Sequence, residues 1–361
     1  MKKFTTATTD IKKRRILRAV PVLAAAGILS VVLTGCGSSD EEVQRYSWPL
    51  ATASPEDTVT QLFAEKFAEE VSDLSNGKMK IQVYANSTLG GDRDLLETCS
   101  DGDIPFVVQN TAPQVSFMSD LAVFDLPCVF DSLDDCRKKI DEPDFYSLIS
   151  DVYTNGGYHL LGMADQGFRV MSTNKAVNSF ADFKGQKIRT MENSYHLAFW
   201  KALGANPTPM SFSEVYIGLQ QHTIDAQENP YEVIVSNNLY EQQDYVVETN
   251  HLPHLISLIV NDEFFKDLPK DEQEIMTEAA QLATEYAREQ SDARIADKIA
   301  TIKESGTEII TLSDETRKEI RDASKGVYES IREVIDPAIY NSYMDGIDEQ
   351  FNSKEQINVS I

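Results

Sequence analysis

The chain has 361 residues, a formal charge of −25 and 42% hydrophobic residues. That length suggests about two domains with ample material for a core, and the acidity argues against nucleic acid or an anionic lipid surface as a partner. An anionic ligand would gain nothing from the overall field, so binding one falls to local, partly desolvated basic side chains.

The N-terminus carries Lys2, Lys3, Lys12, Lys13, Arg14, Arg15 and Arg18, then an uncharged, largely apolar run from Ala19 to Gly35. The run has the length of a signal-peptide core and is short for a membrane span. It ends Leu33-Thr34-Gly35-Cys36, which resembles a bacterial lipoprotein signal and implies cleavage before Cys36 with lipid on its sulfur; the alternative is ordinary secretion with an incidental cysteine. Residues 36–45, with Gly-Ser-Ser-Asp-Glu-Glu, read as a flexible tether. Loss of residues 1–35 removes seven basic residues and one acid, which moves the charge from −25 to −31. Cys99, Cys128 and Cys136 make neither an even framework nor a C-x-x-C pair, so they read as small buried apolar residues; a Cys128–Cys136 bridge stays open.

Arg45 to Thr52 reads as a first strand, and Ser54-Pro55-Glu56-Asp57 as a helix start with acids at the positive end of the dipole. Val59, Leu62, Phe63, Phe67 and Val71 mark one face of that helix, which Asn76-Gly77 ends. Lys80–Tyr84 alternates as a strand, a helix opens after Leu89-Gly90-Gly91 and ends near Gly102, and IPFVVQN delivers Gln109 and Asn110 at a strand end. This β-α-β-α-β order predicts a parallel sheet with ligands at strand C-termini. Ala122–Phe130 reads as structural, and Tyr158–Ala164 as another strand. Phe180–Lys184 and Tyr195–Leu203 are predicted helices, Ser211 and Glu214 a capping box for the next, and Thr223–Ala226 a strand. Asp271 to about Glu304 reads as one long helix or two in tandem, with Ile275, Ala279, Leu282, Ala283 and Tyr286 along one side. The remainder to Ile361 reads as helical and polar.

Between Gly167 and Pro230, Arg169 (FRVMST) and Arg189 (KIRT) lie in β-patterned runs. A half-buried strand arginine is costly without an anionic partner, and its planar fork fits a carboxylate at two points. The two arginines therefore form a carboxylate clamp or pair with the chain's own acids. The stretch ends in Gln227-Glu228-Asn229-Pro230, a polar cluster stiffened by proline.

The ordered set G-F-R, D-F-K-G-Q-K-I-R, A-L-G-A-N-P-T-P-M-S-F-S-E-V-Y and L-Q-Q-H-T-I-D-A-Q-E-N-P resembles the substrate-binding proteins of tripartite ATP-independent periplasmic (TRAP) transporters, from about Tyr46 to about Gln290. The resemblance implies an α/β, two-domain periplasmic-binding-protein-like fold, each domain a β-sheet flanked by helices, with a long helix bridging both. Expected boundaries are 46–166 plus about 255–296 for domain I and 167–254 plus about 297–361 for domain II. It implies Arg189 as the carboxylate-clamping arginine, Arg169 as a second cation and Asn229 as an amide donor to the same carboxylate. Asn110 stands where members specific for a nine-carbon sugar acid use glutamate, and Pro113 where they use arginine, which argues against sialic acid. Glu192 and Asn193 are expected to meet ligand hydroxyls, with helix capping as the alternative for Asn193. Asp92 and Arg93 either reach the ligand from the first domain or form a salt bridge at a helix start. Phe212 packs on the ligand or in the core, and Ala51, Thr52 or Ser54 is a weaker contact at the first strand's end. His222 and Ala226 replace glycines common in the family, which bears on loop geometry rather than on the clamp.

Catalysis lacks support: the H-L-P-H pair, His251 and His254, is broken by proline and has no third metal ligand, and no nucleophile or phosphate-loop motif occurs. No cofactor and no metal are expected. The expected function is extracytoplasmic capture of a small organic acid, favoured as a uronate or aldonate, by a monomer that serves a sodium-coupled TRAP permease. A C4-dicarboxylate is the close alternative; a sensor docking on a receptor kinase and a surface hydrolase are the others.

Overall fold

The computed structural model describes residues 46–347. The expected signal, tether and Cys36 lie outside the described residues, as does the C-terminal end. Among the described residues eleven strands form two sheets: β1 (Tyr46–Ala51), β2 (Met79–Tyr84), β3 (Phe106–Asn110), β4 (Tyr158–Phe168), β5 (Val170–Thr173), β6 (Lys187–Thr190), β7 (Asn206–Pro209), β8 (Ala226–Asn229), β9 (Tyr245–Glu248), β10 (Pro253–Asn261) and β11 (Glu308–Thr311). The first sheet has the order β2-β1-β3-β10-β4 and the second β11-β9-β5-β8-β6-β7. Helices flank both.

The first sheet is mixed rather than wholly parallel. β1 pairs in parallel with β2 and β3, but β10 runs antiparallel between β3 and β4. All nine residues of β10 are buried, so a late apolar run supplies a central strand that local β-α-β order cannot reveal. The predicted strand Thr223–Ala226 instead starts at Ala226 and continues to Asn229, and β11 interrupts the C-terminal helical region. No capping box forms at Ser211; residues Phe212–Glu214 make a 3-10 turn without a side-chain cap. The helix predicted from Ser54-Pro55 begins at Val59, because Asp57 takes a left-handed backbone and Thr58 caps by accepting from Gln61 N–H. Residues 53–55 are thereby left as a loop. His222, at a family glycine position, adopts φ 55°, the region that favours glycine. Cys99 and Cys136 are buried, Cys128 is half-buried, and all three are free thiols.

The chain passes between the sheets at closely tied points. A single residue, Arg169, separates β4 from β5, and Gly167 just before it takes φ +88°. Arg169 N–H donates to Leu252 O at 2.8 Å, which joins this crossing to the one from β9 to β10. The third link is the 35-residue helix Lys270–Glu304, about 50 Å long. Its small residues Ala279, Ala280, Ala283 and Ala287 are buried against the first sheet and the helix Val59–Leu74. Gly162 on β4 permits the close approach: a Cβ there would lie 2.3 Å from Thr284 Oγ1. The helix is one continuous element packed on both sheets' layers, since it also meets the helix Tyr231–Ser236 and β11.

Ion pairs fix this strut. Arg137 bonds Asp165 (2.6 and 3.1 Å) and Asp292 (2.8 Å twice), while Arg288 bonds Asp141 (2.6 and 2.8 Å). From the second sheet's side, Glu232 accepts from Arg294 Nε at 2.6 Å, and also from Gln166 Nε2 and Val59 N–H at 2.8 Å each. Among the described residues no helix is long and apolar enough to cross a membrane.

Candidate functional site

Strand ends build the cleft. β8 pairs antiparallel with β5 and parallel with β6, which sets Asn229 opposite Val170 and Gln227 opposite Arg189. Arg189 lies on β6 between the buried Ile188 and Thr190 and is itself 1% exposed. Its Nε and Nη2 donate to Met210 O at 3.0 and 2.7 Å, which fixes the guanidinium plane, while Nη1 is buried without a hydrogen-bond partner. Phe212 covers it, with its ring centroid 5.8 Å from the guanidinium carbon. Burial pulls the Arg189 pKa down to about 10, with Glu228 offsetting part of the loss. A buried cation with an open donor and no directly paired carboxylate is costly until an anion arrives.

Arg189 lines a cleft together with Asp92, Asn110, Phe212, Asn229, His254 and the loop Ala53–Pro55. Asn229 donates through Nδ2 to Gln227 Oε1 at 2.6 Å and accepts from Arg169 Nη2 at 3.1 Å. Asn110 donates to Leu255 O at 2.7 Å and accepts from Ala112 N–H at 3.0 Å. Among the first-strand candidates, Ser54 lines the cleft and Ala51 and Thr52 do not.

Arg169 is not a free second cation at this surface. Its guanidinium is consumed behind the cleft by the Glu228 carboxylate, the Glu228 carbonyl, Asn229 and the His254 ring. The physical reason is charge: two unpaired buried guanidinium groups side by side would repel in a weakly screening interior. Asn193 caps the helix Ser194–Ala202, accepting from Tyr195 and His196 N–H at 2.8 and 3.0 Å, and donates to Ala112 O and Asp125. Its amide therefore has no spare group for ligand hydroxyls. Glu192 and Arg93 pair at 2.8 Å, each about half exposed, and neither lines the cleft.

Sequence reasoning missed the ionic assembly around Glu228. This fully buried carboxylate bonds Arg169 and His251 Nε2 (3.1 Å) and lies 3.8 Å from His196 Nδ1. Against the upward push of burial, Arg169, His196 and His251 hold its pKa well below the carboxylate range. Burial and Arg169 keep His254 neutral, so its Nδ1 accepts from Arg169 and its proton sits on Nε2. His196 bonds Asp125 at 3.0 Å, and against the pull of burial Asp125 and Glu228 lift it to about 9. The H-L-P-H spacing drew notice only as a failed metal motif. The real signal was its place after β9, the strand next to β5. Among the described residues no group of three or more His, Cys, Asp or Glu is arranged to hold a metal ion.

His196 has a pH consequence. Because its folded pKa is raised from 6.5 to about 9, its contribution is complete below pH 6.5 and is lost as pH rises through 9. Denaturant titrations at stepped pH are expected to show up to about 3 kcal/mol of stability lost across that window, and His196→Asn is expected to flatten the slope. An unchanged slope in the variant would refute the assignment.

Residues 50–333 match the model of the bacterial extracellular solute-binding protein family 7, DctP. The chain belongs to this family. It is thus a TRAP solute-binding protein, and the proteins of this family work outside the cytoplasm as receptors, not enzymes. It is 30% identical over 261 residues to the 2,3-diketo-L-gulonate-binding periplasmic protein YiaO of Escherichia coli, a match covering 72% of this chain and 79% of that one. It is 29% identical over 287 residues to the C4-dicarboxylate-binding protein DctB of Bacillus subtilis, covering 78% and 80%. The sugar acid binding protein DctPAm of Advenella mimigardefordensis, solved with galactonate, superposes with TM-score 0.81 at 29% identity and covers 85% of this TRAP protein and 99% of its own chain.

Proposed function

We propose that this chain captures a small organic acid through Arg189 and delivers it to the sodium-coupled permease subunits of a TRAP transporter. One observation carries the proposal: a buried guanidinium that lines the cleft is held in place by Met210 O and keeps one nitrogen without a hydrogen-bond partner. Arg169, Glu228 and His254 stiffen the wall behind it and orient Asn229. The favoured ligand is a uronate or aldonate, supported by the diketogulonate and galactonate ligands of two relatives. A C4-dicarboxylate is the second reading, supported by the Bacillus relative. The expected signal and Cys36 make the mature chain a lipid-anchored extracytoplasmic monomer. Its two sheets belong to lobes that close on the acid, with the boundaries near residues 166, 254 and 296.

Calorimetry with aldonates, uronates, C4-dicarboxylates and their uncharged parent sugars tests this function. A hydroxylated acid is expected to bind at least a hundredfold tighter than its neutral parent. Equal affinity for the neutral sugar would defeat the anion-site reading.

A further inference from the structure

The cleft holds a second group in want of a partner. Asp92 stands in the first turn of the helix Asp92–Ser100 and lines the same space as Arg189. Its carboxylate has no hydrogen-bond or ion-pair partner among the described residues. The two charges act on each other through space, yet they form no ion pair. Opposite charges that border one cavity without closing on each other leave room for a molecule that satisfies both ends.

Two polar neighbours are already committed. Asn110 is bonded at both atoms. Arg93, the cation best placed to welcome a second carboxylate, is held by Glu192 and lies over the Phe117 ring, 5.6 Å from its centroid. We propose that Asp92 is the specificity-determining residue of the cleft, accepting hydrogen bonds from ligand hydroxyls and excluding acids that bring a second carboxylate to its end. This deepens, and rests on, the anion-site reading of Arg189. Two carboxylates facing each other in a cavity cannot both stay ionised without a large penalty, whereas an ionised carboxylate is a strong acceptor for hydroxyl donors. Burial lifts the Asp92 pKa to about 6, with Arg189 and Arg169 pulling it back and Glu192 pushing it further, so the group is ionised at neutral pH.

Matched acids provide the test. Galactonate and gluconate differ from galactarate and glucarate only in the terminal group, a hydroxymethyl against a carboxylate. Galacturonate, glucuronate, succinate and malate complete the set, and 5-aminovalerate supplies an ammonium in place of hydroxyls. Calorimetry at pH 8 on the wild type is expected to favour the best hydroxy monoacid over the best diacid by a hundredfold or more. Asp92→Asn is expected to narrow that ratio at least tenfold, weakening the monoacid and strengthening the diacid. Asp92→Ala should narrow it as well, and thermal melts without ligand verify that both variants fold. An unchanged ratio in both folded variants overturns the role of Asp92, as does a wild type that prefers a diacid. An ammonium acid outranking every hydroxy acid overturns the hydroxyl assignment. If no member of the set binds the wild type, or if Arg189→Ala binds them equally well, the anion-site reading itself falls, and that result is distinct from a failure of Asp92 alone.

Discussion

Replacing Arg189 with alanine is expected to abolish the thermal shift produced by the cognate acid while leaving the unliganded protein as stable as before, or more so. Truncating one member of a buried charged pair costs about 2–5 kcal/mol of binding, and at about 1.4 kcal/mol per decade the loss runs from roughly thirtyfold to several thousandfold. The unliganded protein should not suffer, because its Arg189 is a desolvated cation with an idle nitrogen and a carbonyl as its one hydrogen-bond acceptor among the described residues. Removing such a group relieves an uncompensated cost, the usual exchange between stability and function. Arg189→Lys should recover little of the affinity, since an ammonium lacks the fork that binds Met210 O and an acid together. Melting curves with and without the acid decide the matter: a full shift surviving in Arg189→Ala would show that the anion is held elsewhere.

Glu228→Gln is expected to have the opposite profile, with a large loss of stability in the unliganded protein. The carboxylate lies fully buried between Arg169, His251 and His196, and a neutral amide leaves the guanidinium without its counter-charge. Breaking a buried pair in this way costs about 3–5 kcal/mol, a fall in melting temperature on the order of 10 °C. The pH dependence follows the depressed pKa of Glu228: its contribution is complete above the ordinary value of 4.5 and is lost as pH falls through the lower folded value. Urea titrations at pH 7 and pH 4 are expected to show a smaller gap between parent and variant at the acidic end. Parent-like stability at pH 7 would mean that the assembly is not the structural counterpart of the clamp.

The family, the two-sheet α/β architecture and the position of Arg189 were legible in the sequence because each rests on local pattern: strand alternation, ordered motifs and a long helical period. The role of Arg169 was not. Its counter-ion Glu228 lies 59 residues away and becomes a neighbour only when β5 and β8 pair. For Asn193 the helix-capping alternative was legible, but not that Asp125, 68 residues distant, takes its amide. β10 escaped because a buried run carries no alternation to betray its partners. The start of the first helix misled for the reverse reason: a serine-proline-acid cluster fits a helix N-terminus, but Asp57 turns left-handed and the segment faces the cleft instead.

The way the long helix is riveted has a mechanical corollary. Arg288 is fastened to Asp141 and Arg294 to Glu232, so fastenings to opposite halves sit within two turns of one another, about 9 Å along the axis. Any tilt of one half relative to the other has to be absorbed over that short span, at the lone residue between β4 and β5 and in the β9–β10 crossing tied to it. The proposed closure of the lobes would thus be a bend about a narrow fulcrum, felt where Arg93 meets Glu192.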